Sequence, residues 1–274
     1  MIPICLLFVM TLSQTVFNSA DITMLGLMKG DYAVGIYSTA AKIEKVISQI
    51  VSSVVYVLIP RLSYMFDSGE YEKINKLLRN VLGVFATIGL PSCAGAAVMA
   101  KEIILIVGGV KYVEATLVLQ ILLLSFLFSL VGGSFLGNVV LLPSGNEKQF
   151  MIICCISTVV NVIANAFLIP RWGAYAAAGT TAFSSLLIML MLIASVDKQI
   201  KIQSPVRLFL APLGGSVIMS ICCVWLKQFF EVLWIRTIVC VISGVVVYGI
   251  VQILLKNEMV LEIFEKRVKV RKDK

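Results

Sequence analysis

Apolar runs long enough to cross a bilayer follow one another along almost the whole of this 274-residue chain. That recurrence constrains the fold more than any single motif. In hydrocarbon the backbone N–H and C=O groups find no water, so a spanning segment must satisfy them within a helix or a closed barrel. The runs are continuous rather than alternating, which excludes an outer-membrane barrel. A spanning helix needs about 20 apolar residues. Eight are expected, at about 3–28, 35–60, 78–100, 114–141, 150–169, 173–195, 206–226 and 233–255. The chain is therefore expected to be an all-α integral membrane protein. Its charged residues are 14% of the total and its mean hydropathy is +1.00, against about a quarter charged in a soluble domain. The links between runs leave no room for a separate water-soluble enzyme.

The links carry ordinary turn signals. Gly30-Asp31 separates the first pair, Pro143 to Lys148 the fourth from the fifth, and Pro170-Arg-Trp-Gly173 the fifth from the sixth. The link from Arg61 to Asn80 is longer. Its Asp67-Ser-Gly-Glu70 reads as a helix start, and Tyr71, Ile74, Leu77 and Leu78 recur at helical spacing. Either an amphipathic surface helix or an early start of the third span accounts for it. Pro91, flanked by Gly83, Gly89 and Gly95, is expected to kink that span. The first run has no basic segment before it and no small-residue cleavage site after a short core, so it reads as a retained span.

Histidine is absent, and the seven cysteines, all in apolar runs, form no CxxC pair. Neither a metal site nor a disulfide framework is expected, and no cofactor is implied. Lysine and arginine fall fifteen on the side of the tail and the long link against six on the other, with Lys42 and Lys45 inside the bilayer. By the positive-inside rule the tail side is cytoplasmic, and with eight spans both termini are. The net charge of +8 follows from this bias and implies no nucleic-acid partner. Tail lysines in contact with anionic lipid headgroups are an alternative to orientation alone.

The second run carries charge at membrane depth, which is costly and rarely faces lipid. Ser38, Lys42, Lys45, Gln49, Ser52 and Tyr56 alternate steps of four and three, so they share one face of a helix. Thr11, Gln14, Asn18 and Asp21 form a matching stripe on the first. Two such neighbours predict a wet, cationic, protein-lined cavity; the structural alternative is that Asp21 pairs with Lys42 or Lys45 to hold the two helices together. Glu44 lies off the stripe by about 100° from Lys45 on an ideal helix. In the fifth helix Ser157, Asn161 and Asn165 share a face, and Gln120, Ser125, Ser129, Ser134 and Asn138 mark the fourth. These read first as hydrogen-bonding groups between helices. The last two helices carry no such stripe and are expected at the periphery.

The run Asp21-Ile-Thr-Met-Leu-Gly26, then Val34-Gly-Ile-Tyr-Ser-Thr-Ala-Ala-Lys-Ile43, then Ile59-Pro-Arg-Leu-Ser63, resembles the bacterial polysaccharide flippases. These are the O-antigen and capsule repeat-unit translocases of the multidrug/oligosaccharidyl-lipid/polysaccharide exporter superfamily. Asn161 to Gly179 is similar to the same family's turn between the fifth and sixth helices of its second half. The likeness covers about residues 1–200. It implies two six-helix lobes around a central cavity and a substrate of undecaprenyl-pyrophosphate-linked oligosaccharide, moved between leaflets without enzymatic chemistry.

On that resemblance residues 1–195 are the second lobe, 196–255 an added helix pair and 256–274 a basic cytoplasmic tail. Lys42, Lys45, Gln49, Gln14 and Asn18 would line the cavity, with the lysines suited to pyrophosphate. Asp21 would offset their charge or take part in ion or proton coupling. Glu44, Asn161 and Asn165 are secondary candidates. The family's first lobe has no counterpart here, so the chain is expected to be a truncated or split form. It would work with a first-lobe polypeptide or as a self-dimer, with polysaccharide-assembly proteins as further partners. The plasma membrane of a bacterium is the implied location.

The alternatives are a multidrug or cation antiporter of the same superfamily, and a peptidoglycan-precursor flippase. An antiporter for cationic drugs would favour an acidic cavity. Here Lys42 and Lys45 outweigh Glu44 by one charge, and Asp21 brings the two helices to neutral. A membrane-embedded glycosyltransferase or ligase would call for acidic or histidine clusters in sizeable loops, which this chain lacks.

Overall fold

A computed structural model of the chain describes residues 2–197, 200, 205–255 and 257; of residues 2–7, 18, 54–58 and 205 it describes the backbone alone. The described residues form a helical bundle. Its elements are α1 (Ile2–Lys29), α2 (Asp31–Asp67), α3 (Tyr71–Val98), α4 (Ala100–Val107), α5 (Ala115–Ser129), α6 (Glu147–Trp172), α7 (Ala174–Ser195), α8 (Pro205–Leu226) and α9 (Leu233–Leu254). α5 continues without a break into a π-helical stretch, Leu130–Leu141. Among the described residues six helices are long and apolar enough to cross a membrane: α3, α5 with its π-helical continuation, α6, α7, α8 and α9. Eight spans were expected; α1 and α2, of 28 and 37 residues, are the other two candidates.

The structure differs most from the sequence reading at the end of α2, at the start of α3 and in the stretch after α3. α2 does not stop at Pro60 but runs through it to Asp67. A proline removes one N–H and crowds one carbonyl, and the helix continues for seven residues on the far side. Asp67 does not open the next helix: it ends α2, and the helix that follows starts at Tyr71 with no side-chain cap. The third span therefore begins early, and no separate surface helix exists there. α4, a short helix between the third and fourth spans, was not foreseen at all. The tail expected at 256–274 lies, apart from Asn257, outside the described residues, as do Lys198 and Lys201.

The centre is built from large side chains withdrawn fully from the surroundings, among them Phe85, Phe126, Phe135 and Phe150. Neighbouring helices pack as α1 on α6, α6 on α7, α7 on α5, α5 on α2 and α3 on α8. Outward-facing leucine, isoleucine, valine and phenylalanine remain exposed along most helices, Leu27 and Phe167 among them. On a membrane protein that is the lipid-facing surface, because association between helices in lipid rests on close packing rather than on hiding apolar area.

The last two helices are peripheral, as expected. α8 lies along α3, and α9 packs mainly on α8. They are fastened at both ends. At one end Glu102 of α4 holds Lys227 at 2.9 Å and Arg236 at 3.6 Å, and the Lys227 ammonium also donates to the Val98 carbonyl. Toward the other, the Tyr248 hydroxyl donates to the Thr87 carbonyl at 2.7 Å.

The link between α6 and α7 is one residue, Gly173, with φ 55 and ψ −130. That backbone region is open essentially to glycine. It sits at the same end of the bundle as the links at Gly30, at 108–114 and at 227–232, as the Tyr32–Tyr112 contact and the Glu102 ion cluster show. The opposite end gathers the links at 63–71 and 142–147 with Asp197 and Ile200 around a polar crevice of about 340 Å³.

Candidate functional site

The most polar place inside the bundle is centred on Asp21, which is 1% exposed. α1, α2, α6 and α7 each deliver a side chain to it. Tyr37 of α2 donates its hydroxyl to Oδ2 at 2.5 Å and Thr181 of α7 donates to the same oxygen at 2.6 Å. Asn165 of α6 donates from Nδ2 to Oδ1 at 2.5 Å. Its second N–H reaches the Asn161 Oδ1 at 3.1 Å, and its own Oδ1 accepts from Thr180 at 2.5 Å. A buried charge is tolerable only when paired or fully hydrogen-bonded, and charge-assisted bonds of this length are the strong ones. The local sequence explains the placement. Asn161 and Asn165 are one helical turn apart on the inner face of α6, with Ser157 a turn earlier, all three without exposed surface.

Among the described residues Asn161 Nδ2 and Ser157 Oγ, both buried, find no partner; an unpaired buried polar atom costs about 1–3 kcal/mol. Thr181 has one hydroxyl proton for two acceptors, Asp21 Oδ2 and the Ala177 carbonyl at 2.9 Å. The acceptors within reach are one carboxylate, amide oxygens, hydroxyls and a backbone carbonyl. Such hard oxygens suit a proton or an alkali or alkaline-earth cation. Among the described residues no three of His, Cys, Asp and Glu gather as a metal-binding group.

The second group of candidates lies apart. Lys42, Lys45 and Gln49 are exposed on the open side of α2, and no hydrogen bond or ion pair engages the two lysines among the described residues. Ser52, on the same stripe, meets Ser134 of the π-helical stretch at 3.4 Å. Gln14 is half-buried and faces Cys154 of α6. Asn18 lies on α1 between Gln14 and Asp21, and its side chain is outside what is described. Glu44 is half-buried.

The structure thus divides what the sequence had grouped. Asp21 belongs with Asn161 and Asn165 in the buried cluster, not with the lysines. The expected alternative, an Asp21 pair with Lys42 or Lys45, does not form, because the carboxylate already accepts from Tyr37, Thr181 and Asn165. Tyr37, Thr180 and Thr181 were missed. The adjacent threonines in the otherwise small and apolar α7 were the available signal, and Tyr37 stands next to the Ser38–Tyr56 stripe.

A multi-pass helical membrane protein is the class that the fold defines. The family model described as lipid II flippase MurJ matches residues 31–245, and the chain belongs to that family. A solved structure of lipid II flippase MurJ in an inward closed conformation superimposes with a TM-score of 0.75 at 17% identity, covering 93% of this chain and 53% of that one. That likeness shows the fold.

Three curated relatives match as well. Haloferax volcanii Agl15, named a probable low-salt glycan biosynthesis flippase, is 26% identical over 172 residues, which is 61% of this chain and 35% of the relative. Staphylococcus aureus CapF, a capsular polysaccharide biosynthesis protein, is 24% identical over 155 residues, 57% of this chain and 39% of the relative. Haloferax volcanii AglR, named a probable flippase, is 22% identical over 254 residues, 90% of this chain and 52% of the relative. The flippase likeness read from residues 21–63 and 161–179 is therefore well founded. The chain spans about half or less of the length of these relatives.

Proposed function

We propose that this chain is one lobe of a flippase that moves undecaprenyl-pyrophosphate-linked oligosaccharide between the leaflets of a bacterial plasma membrane. The observation that carries this reading is the open face of α2. Lys42, Lys45 and Gln49 stand there exposed, and among the described residues neither lysine makes a hydrogen bond or ion pair, Glu44 being only a Coulombic neighbour of Lys45. Lipid is a poor environment for such a face. A cavity shared with a second lobe is a good one, and a pyrophosphate is the ligand two ammonium groups suit.

On this reading α1 and α2 are spans, residues 1–195 form the lobe and 196–255 the added pair. The end bearing Gly30, Gly173 and Lys227 faces outward, and both termini are cytoplasmic. The partner that completes the cavity is a first-lobe polypeptide, or a second copy, and polysaccharide-assembly proteins act downstream. The chain orients and releases its substrate without making or breaking bonds. The Asp21 cluster supplies coupling. One carboxylate amid neutral oxygens exchanges a proton or a small cation as the four helices shift.

The test is complementation of a strain that lacks its own repeat-unit flippase, with the chain alone and with a co-encoded first lobe. Restored surface polysaccharide that is lost again in Lys42→Ala or Lys45→Ala, at unchanged protein level in the membrane, supports the reading. Restoration that survives both substitutions overturns the cavity assignment.

A further inference from the structure

The outward end of the α2 stripe is closed by an aromatic pair that the flippase reading leaves without a task. Asp31, Gly35, Ser38, Lys42, Lys45 and Gln49 continue one another at steps of four and three, so they lie on a single helix face. At its head Tyr112, from the turn between α4 and α5, lies over Gly35. A Cβ at position 35 would stand 2.7 Å from Tyr112 Cε1, so glycine there is what lets the ring settle on the helix. Tyr32 stacks against Tyr112 with centroids 6.5 Å apart and planes 18° apart, and its hydroxyl donates to the Lys111 carbonyl at 3.3 Å. The Lys111 ammonium stands 5.9 Å from the Tyr112 ring centre.

Tyr112 thus acts as a buttress, pinned between Gly35 and its neighbours, and Tyr32, 48% exposed, presents the open ring. Asp31, its neighbour in the chain, and Lys111, whose carbonyl it bonds, are both exposed.

We propose that Tyr32, backed by Tyr112 and flanked by Asp31 and Lys111, is a docking platform for the sugar of the lipid-linked oligosaccharide at the outward mouth. This deepens the flippase reading and rests on it. The chemistry is that of carbohydrate recognition. The C–H face of a pyranose carries partial positive charge and packs on the negative face of an aromatic ring. Its hydroxyls need an acceptor and a donor within reach, and the Asp31 carboxylate and the Lys111 ammonium supply one of each. A platform must be held flat and still to be of use, and the stack, the Tyr32–Lys111 bond and the seat on Gly35 do that. Trp172 and Tyr175, exposed at the same end, have no such stacked ring behind them among the described residues and fit the ordinary aromatic belt of a membrane interface. The pair also sits at the end of the stripe whose lysines take the pyrophosphate, so one substrate can span both.

The experiment places photoreactive p-benzoylphenylalanine at position 32, at Ser38 on the lysine-bearing face of α2 and at Ile218 of α8 as a lipid-facing control. The full transporter carries each in turn, in cells whose polysaccharide precursor is metabolically labelled with radioactive sugar. Label crosslinked at 32 and 38 but not at 218 is the expected result, and Tyr112→Leu should reduce the yield at 32 at least fivefold while leaving that at 38. Crosslinks at 38 with none at 32, or with phospholipid alone at 32, overturn the platform and spare the cavity. Equal labelling at 32 with and without Tyr112 also overturns it. Absence of label at 38 strikes the flippase reading itself.

Discussion

Glu102 offers the sharpest test of how the last two helices are held. Its carboxylate is 4% exposed and faces two cations, Lys227 at 2.9 Å and Arg236 at 3.6 Å. Glu102→Gln keeps the shape and removes the charge, so a lysine and an arginine face each other across a neutral amide. Breaking a buried pair from one side costs about 3–5 kcal/mol, whereas an exposed pair contributes about 0–1 kcal/mol. The two cations are 20% and 24% exposed at their side chains, and long basic side chains at a membrane end can turn toward water. A loss near 2 kcal/mol is the expectation, roughly midway between the two cases. For a chain of this size that is a fall in Tm of about 4–8 °C.

The assay is thermal unfolding of the purified chain in detergent, followed by labelling of Cys223 and Cys240. These two lie buried with Met99 and Met219 in a small apolar cluster of their own, so their exposure reports α8 and α9 coming away from the rest. Lys227→Met in the Glu102→Gln background should recover part of the loss, since it removes one of the stranded charges. An unchanged Tm for Glu102→Gln, or a double variant that loses the sum of the two single effects, would refute the clasp.

Other outcomes follow from the same geometry. Thr180→Val removes the proton donated to Asn165 Oδ1 and leaves that oxygen buried; a loss of about 1–3 kcal/mol is expected, read as a lower melting temperature with membrane insertion unchanged. Asp21→Asn puts an amide where three donors converge, so transport should fall at least tenfold while protein level holds. Wild-type transport in Asp21→Asn would make the cluster purely structural. Gly173→Ala forces a side chain into a backbone region costing about 1–3 kcal/mol, and should lower stability without touching substrate binding by the α2 face.

The fold class and most helix positions were legible because lipid leaves the backbone so few options: every span had to appear as a long apolar run. The ends were less legible, because at Pro60 and Tyr71 the helix outlasts its apolar stretch and continues through polar sequence. α4 is only eight residues long, too short to stand out between two spans, and the π-helical stretch at Leu130–Leu141 runs on from α5 without a signal of its own. The polar stripes were correctly placed on single helices, but a stripe does not say which neighbour it meets. Asp21 looked like a partner for lysine until α6 and α7 were seen to bring Asn165 and Thr181 to it. Thr180 and Thr181 were passed over because threonines in a helix commonly return their hydroxyl to the preceding turn, which both also do.

The Asp21 cluster has a history in time as well as in space. Asp21 and Asn165 are 144 residues apart in the chain. At a synthesis rate of roughly 5–20 residues per second, one emerges about 7–30 s before the other. Tyr37, only 16 residues on, arrives within a few seconds, but the donors from α6 and α7 come much later. During that interval α1 carries an incompletely solvated carboxylate at the membrane. The nascent segment must therefore wait protonated, displaced toward the surface, or sheltered by the insertion machinery. Codon changes that slow ribosomes between α2 and α6 should lower the yield of folded protein, and Asp21→Asn, with no charge to shelter, should be insensitive to the delay.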